Sequence, residues 1–123
     1  DVEDYGLMIE NAKMFDCPSL IPIHGQAPQA WADLPNPDAI FVGGSGRVVA
    51  ELVRDALPRL NPGGRIVVNV SSPDSLVETH RVIEAAGLRT DGRMINIARG
   101  QYQLDRLRFD AMNPTFLVMG VRA

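Results

Sequence analysis

The stretch that most constrains this chain is Asp38–Gly46, which reads D-A-I-F-V-G-G-S-G. Ala39–Val42 is an apolar run of the length of a buried strand, and it stops at two glycines, a serine and a third glycine. A helix-period segment follows at once: Val48, Val49, Leu52, Val53, Ala56, Leu57 and Leu60. Strand, glycine-rich turn and helix in succession is how an α/β sheet builds a ligand crevice at its strand ends. Glycines there let a bound molecule approach the backbone, and the helix N-terminus offers free N–H groups to an anionic ligand. On residue types alone a second reading stands beside this one, in which Gly43–Gly46 is only a tight strand-to-helix turn.

A length of 123 residues predicts one domain, with a core that buries roughly two-thirds of the unfolded surface. No apolar run approaches the roughly 20 residues needed to span a membrane, and the acidic opening Asp1-Val2-Glu3-Asp4 is not a signal peptide. Cys17 is the only cysteine, which excludes an internal disulfide and fits a reducing cytoplasm. A formal net charge of −3 argues against nucleic acid as a partner. Two histidines far apart and one cysteine give no metal-ligand spacing.

Taken in order, residues 1–15 predict a helix with Tyr5, Met8, Ile9, Ala12 and Phe15 on one face. Leu20–His24 is a short strand candidate despite Pro22, and Pro28 opens a short helix. The central strand and the Arg47–Leu60 helix follow, then the stop Asn61-Pro62-Gly63-Gly64. Arg65–Val70, R-I-V-V-N-V, predicts a strand covered on both faces. Ser72 and Pro73 are placed to cap and start a helix that Gly87 closes. Gly92–Ala98 is a further strand candidate, and Pro114–Val121 is the last strand. Arg99–Asn113 is a polar, arginine-rich excursion of no evident type. Alternating strands and helices predict a mostly parallel sheet, and the helix-free link before the last strand lets that strand run antiparallel. The chain opens on a helix, whereas an open α/β nucleotide fold starts with a strand, a glycine loop and a helix.

Four stretches in sequence, G-Q-A-P at Gly25–Pro28, P-D-A-I-F-V-G-G-S-G at Pro37–Gly46, L-N-P-G-G-R-I-V-V-N at Leu60–Asn69 and I-N-I-A-R-G at Ile95–Gly100, resemble one family. This is the decarboxylating precorrin-6Y methyltransferases of cobalamin biosynthesis, a branch of the class I S-adenosylmethionine-dependent methyltransferases. The resemblance covers essentially the whole chain. P-G-G-R recurs across class I methyltransferases, while D-A-I-F-V-G-G-S-G followed by I-N-I-A-R-G is more specific. The resemblance implies an α/β Rossmann-like class I methyltransferase sheet, mostly parallel with an antiparallel last strand. It implies that the first βαβ unit lies upstream, so that residues 1–123 are the later two-thirds of one domain. The glycine-rich loop for the donor's methionine end and the acid for its ribose would then precede residue 1.

S-adenosylmethionine as methyl donor and a tetrapyrrole (precorrin) as acceptor follow from the same resemblance, with ring methylation coupled to loss of carbon dioxide from an acetate side chain. The family occurs as a homotetramer or as half of a two-domain methyltransferase. By resemblance, Gly25, Gln26 and Ala27 line the adenine pocket, and Gly43, Gly44 and Ser45 border the donor, with Gly46 toward the acceptor. Gln26 stands where the family usually carries an acid, which keeps an adenine contact but loses the charge. The donor is already activated, so the protein's task is to align reactants, and no catalytic residue is singled out. The acceptor class is rich in carboxylates, and the chain carries eleven arginines against one lysine. Arg99, inside the specific match, is the candidate acceptor contact, with Arg106 and Arg108 beside it; a solvated surface loop is the alternative. Two other functions remain open on sequence: a non-catalytic α/β assembly module, and a dinucleotide-binding protein, which the missing phosphate-cradling fingerprint disfavours.

Overall fold

The computed structural model describes residues 2–44 and 46–123. Their contacts divide into two compact units, Asp1–Pro35 and Asn36–Ala123.

The first unit holds one helix, α1 (Val2–Met14), with Glu3 and Asp4 in its first turn and Lys13 in its last, the arrangement the helix dipole favours. Tyr5, Met8, Ile9 and Ala12 are half-buried, and the Tyr5 ring lies 5.1 Å from that of His24. Phe15, expected on the packed face, is 71% exposed because the helix has already ended. Leu20–His24 has no regular secondary structure and joins no ladder among the described residues, so the expected strand is absent there. Pro22 there has no N–H to contribute. Gln29–Trp31 forms a single 3-10 turn.

The second unit is a four-stranded sheet in the order β1-β2-β6-β3. Its strands are β1 (Ala39–Val42), β2 (Arg65–Val70), β3 (Arg89–Ile95) and β6 (Thr115–Val121). β1 and β2 pair parallel, and β6 runs antiparallel between β2 and β3, so three strands share one direction and the last opposes them. This is the predicted class I methyltransferase arrangement. The strand expected at Gly92–Ala98 begins three residues earlier, at Arg89. Helix α2 (Val49–Ala56) links β1 to β2, and α3 (Pro73–Ala85) links β2 to β3. The 47–60 segment is α-helical only over those eight residues and passes into a 3-10 turn at Leu57–Arg59. Pro58 explains the change, since its ring clashes with the carbonyl four residues back and it donates no hydrogen bond. Ser72 caps α3 as expected, accepting from the Ser75 N–H at 3.1 Å, with Pro73 in the first turn.

The core lies between the sheet and these two helices. Ile66, Val68 and Val70 of β2 and Phe116 and Val118 of β6 alternate inward against Val53, Leu57 and Ile83. At the other end of β1, Asn61 ties two turns together: its Nδ2 donates to Asp38 Oδ1 at 2.9 Å and to Asn36 O at 3.1 Å. These bonds fix where β1 starts, and therefore where Gly43 and Gly44 leave the sheet.

The Arg99–Asn113 excursion is a hairpin, β4 (Ala98–Gln103) paired antiparallel with β5 (Arg106–Ala111). Its two-residue turn, Leu104-Asp105, has φ of 52° and 57°. Among the described residues no helix is long and apolar enough to cross a membrane.

Candidate functional site

The parallel strands β1 and β2 end side by side, and a cleft of about 450 Å³ opens where they stop. Gly44 and Gly46 of the first turn, Val49 at the start of α2, Asn69, Val70 and Ser71 at the end of β2, Ser72 and Ser75 at the start of α3, and Thr115 line it. The location follows from topology. Strand carbonyl ends, two helix N-termini and the incoming end of β6 converge there, as ligand crevices of open α/β sheets do.

The glycine turn is shaped by backbone chirality. Gly44 and Gly46 have φ of +70° and +57°, a conformation that costs an ordinary L-residue roughly 1–2 kcal/mol. A Cβ built on either would meet nothing within 4 Å. Glycine here answers to conformation and leaves space open above the turn, which is the cradle a close-lying ligand requires. Gly43 differs, since a Cβ there would stand 3.0 Å from Phe41 Cε1. Ser45 lies outside the described residues.

The cleft wall carries one side-chain pair that no sequence motif pointed to. Thr115 Oγ1 donates to Asn69 Oδ1 at 2.6 Å and approaches Val70 O at 3.4 Å. Asn69 interrupts the apolar run R-I-V-V-N-V at its last outward-facing position, and that break was the available signal. Thr115 offered none. The Ser72 hydroxyl donates to Ser75 Oγ at 2.9 Å and is otherwise engaged in capping α3. The described residues lining the cleft include no carboxylate.

The other predicted site residues belong to other elements. Gly25, Gln26 and Ala27 belong to the first unit, in the turn closed by Ala30 N–H donating to Gln26 O at 2.9 Å. A Cβ on Gly25 would approach Ala30 Cβ to 2.8 Å, so glycine is needed for that turn's own packing. Arg99 lies on the hairpin, opposite Asp110, and is not among the residues lining the cleft. The pairing register puts Arg99, Arg106, Arg108, Gln101, Gln103 and Asp110 on one hairpin face. Arg108 Nη1 donates to Gln103 Oε1 at 3.2 Å. The arginines foreseen as a group therefore do share a surface.

A larger depression of about 570 Å³ lies between the C-terminal ends of α2 and α3 and includes Arg54, Arg81 and Arg122. Arg122 Nη2 donates to the Leu57 carbonyl at 2.6 Å, so it serves a helix C-terminus. Among the described residues no cluster of three or more His, Cys, Asp or Glu is placed to hold a metal ion.

Comparison with known proteins gives this geometry its context. The family described as precorrin methyltransferase domain matches residues 3–115. A precorrin-6Y C(5,15)-methyltransferase [decarboxylating] of Sinorhizobium is 39% identical over 84 residues, which is 66% of this chain and 20% of the relative. A protein of Pyrobaculum calidifontis named "probable cobalt-precorrin-6B C(15)-methyltransferase (decarboxylating)" is 30% identical over 121 residues, 96% of this chain and 62% of the relative. The crystal structure of precorrin-6y C5,15-methyltransferase from Geobacter metallireducens superposes with a TM-score of 0.84 at 27% identity, over 95% of this chain and 62% of that one. A SAM-dependent O-methyltransferase from Thermotoga maritima shares the fold alone, with a TM-score of 0.73 at 14% identity, over 98% of this chain and 46% of that one. The chain thus spans from a fifth to somewhat under two-thirds of each of these proteins.

Proposed function

The chain belongs to the precorrin methyltransferase domain family, and from that membership we propose that it forms part of an S-adenosylmethionine-dependent C-methyltransferase. Its acceptor is a precorrin-6Y-type corrin-ring precursor, and methylation is accompanied by loss of an acetate side chain's carboxyl as carbon dioxide. The observation that carries this reading is the strand-end cleft, where Gly44 and Gly46 leave open space against the end of β2.

S-adenosylmethionine supplies, when bound, a methyl group already activated on a sulfonium. The residues of the chain have to orient and exclude water. Gly43 and Gly44 border the donor, Gly46 faces the acceptor side, and Gly25, Gln26 and Ala27 serve the adenine. Alignment of two reactants in a dry site is worth up to about 7–11 kcal/mol of barrier. A general base is not required for such an in-line displacement, so the lack of a carboxylate among the described cleft residues is compatible with the reaction. Arg99 is assigned to the acceptor's outlying carboxylates, as a bidentate donor.

We read both compact units as one methyltransferase domain acting in the cytoplasm, where the free thiol of Cys17 suits the reducing conditions. A homo-oligomer, a tetramer by family resemblance, belongs to the same proposal. Its support is the hairpin's second face, where Ala98, Gly100, Tyr102, Leu107, Phe109 and Ala111 form an exposed apolar surface. Fusion or partnership with a second methyltransferase domain is the family's other arrangement.

Calorimetric titration of S-adenosylhomocysteine into the full-length protein tests the donor assignment. Binding by the wild type and a loss of at least tenfold in Gly44→Asn are expected. Asparagine tolerates the left-handed backbone, so this variant adds bulk without the strain that valine would bring. A wild type that binds no S-adenosylhomocysteine would overturn the reading and favour the assembly module.

A further inference from the structure

Asn69 and Thr115 sit on adjacent antiparallel strands, β2 and β6, and their side chains meet on the same side of the sheet at the cleft. The Thr115 hydroxyl has one proton. Its short approach, 2.6 Å, is to Asn69 Oδ1, and the approach to Val70 O at 3.4 Å is secondary. With Oδ1 engaged, the amide is oriented, and what it has left to offer is its Nδ2 N–H pair. Among the described residues those two donors have no protein partner.

The neighbouring polar groups are differently committed. Ser72 spends its hydroxyl on Ser75 and on the cap of α3. Ser71 is exposed at the strand end, lines the cleft beside Asn69, and has no side-chain partner among the described residues. Val49 and Val70, both buried, are the apolar residues lining the cleft. A wall of donors with no described carboxylate suits an anionic acceptor oxygen and repels none. Two strands of the central sheet hold this wall, whereas Arg99 stands on an exposed hairpin.

We propose that Asn69, its amide held by Thr115, is the group in the strand-end cleft that binds a carboxylate of the acceptor, with Thr115 as its positioning residue. This rests on the methyltransferase reading and names a contact within that site. The contact fixes which edge of the acceptor faces Gly44 and Gly46, and thus which ring carbon is presented for methylation. The donor's own carboxylate is the competing ligand, and donor affinity in the variants below separates the two.

The test uses the full-length protein with S-adenosylmethionine and a precorrin-6Y-type acceptor, in the wild type and in Asn69→Ala, Asn69→Asp, Thr115→Val and Thr115→Ser. Hydrogen bonds to a charged group are among the stronger ones, so Asn69→Ala should raise the acceptor KM roughly tenfold or more. Asn69→Asp keeps the acceptor atom that Thr115 donates to, and it sets a negative charge against the substrate carboxylate. It should therefore raise KM further than Asn69→Ala, which a merely structural role would not produce. Thr115→Val should raise KM by a smaller factor, and Thr115→Ser should restore it. In all four, S-adenosylhomocysteine affinity should stay within about twofold of wild type, with an unchanged unfolding midpoint. The proposal is overturned if Asn69→Asp is no worse than Asn69→Ala. It is equally overturned if donor affinity falls in step with KM, or if Thr115→Val leaves KM unchanged. A wild type that binds no S-adenosylhomocysteine removes the methyltransferase reading and this contact together. A wild type that binds it and turns over, beside Asn69 variants of normal KM, removes the contact alone.

Discussion

Strand β6 and the β4–β5 hairpin are both antiparallel and both alternate, yet they end in opposite environments. In β6 every second residue is buried, with Phe116 at 8% and Val118 at 0% exposure. In the hairpin every residue is exposed, including Tyr102 at 82% and Phe109 at 67%. Alternation determines which side chains share a face. Whether that face is covered depends on a second layer, which α3 supplies to β6 and which neither α2 nor α3 supplies to the hairpin. A two-stranded ribbon is marginal by itself, so the hairpin draws little stability from its own packing, and the molecule's resistance to unfolding resides in the sheet–helix layer.

The closest approach in that layer gives the largest expected effect. A Cβ on Gly120 of β6 would stand 2.5 Å from Ile83 Cγ2, 3.1 Å from Leu88 Cδ2 and 3.2 Å from Ile66 Cγ2. Gly120→Ala should therefore cost about 1–3 kcal/mol in denaturant unfolding. Adding Ile83→Ala removes the obstructing methyl, so the double variant should lose less than the sum of the two single losses. Strict additivity would mean that α3 already yields there and that the layer is looser than its burial implies.

This contrast also explains what the residues disclosed and what they withheld. Ala39–Val42 and Arg65–Val70 could be bounded to the residue, because apolar runs between proline and glycine stops have few alternatives. Ser72-Pro73 located the start of α3 for a similar reason, since a cap and a proline in the first turn act within a few residues. The hairpin was hidden by its turn. Both turn residues take positive φ, for which the recognisable signal is Asn-Gly or Asp-Gly, and here they are Leu104 and Asp105. The alternation in A-R-G-Q-Y-Q and R-L-R-F-D-A was present throughout, masked by arginines on the solvated face. At the site, Gly44 and Gly46 were legible as punctuation. Asn69 and Thr115 were not legible as a pair, because they lie 46 positions apart and meet only through the β2–β6 register.

One polar group sits where the covered face should be apolar, and it tests the same layer from the opposite direction. Thr79 of α3 is fully buried, and its Oγ1 has no hydrogen-bond partner among the described residues. A buried unpaired hydroxyl carries a desolvation penalty of about 1–3 kcal/mol. Thr79→Val keeps the shape and removes that group, and it should stabilise the protein by about 1 kcal/mol, read as a raised denaturant midpoint with an unchanged m-value. A destabilised variant would show that the hydroxyl is paired in solution and that this part of the core is wetter than its neighbours.

The smallest expected effect on the folded chain itself comes from the hairpin. The Phe109 ring lies over Gly100, with Cε1 3.3 Å from where a Cβ on that glycine would be, but most of its surface faces solvent. At protein concentrations low enough to keep subunits apart, Phe109→Ala should therefore shift unfolding by no more than about 0.5 kcal/mol. At high concentration the two proteins should diverge. An apolar face that pairs with a second copy makes wild-type stability rise with concentration by mass action, and removal of its phenylalanine ring should abolish that rise and the larger species in sedimentation. A wild type whose stability is independent of concentration would refute the oligomer and leave the ring exposed without an energetic role. A variant that loses several kcal/mol even when dilute would instead place Phe109 in a folded core, and the distinction between the covered and uncovered ribbons would fail.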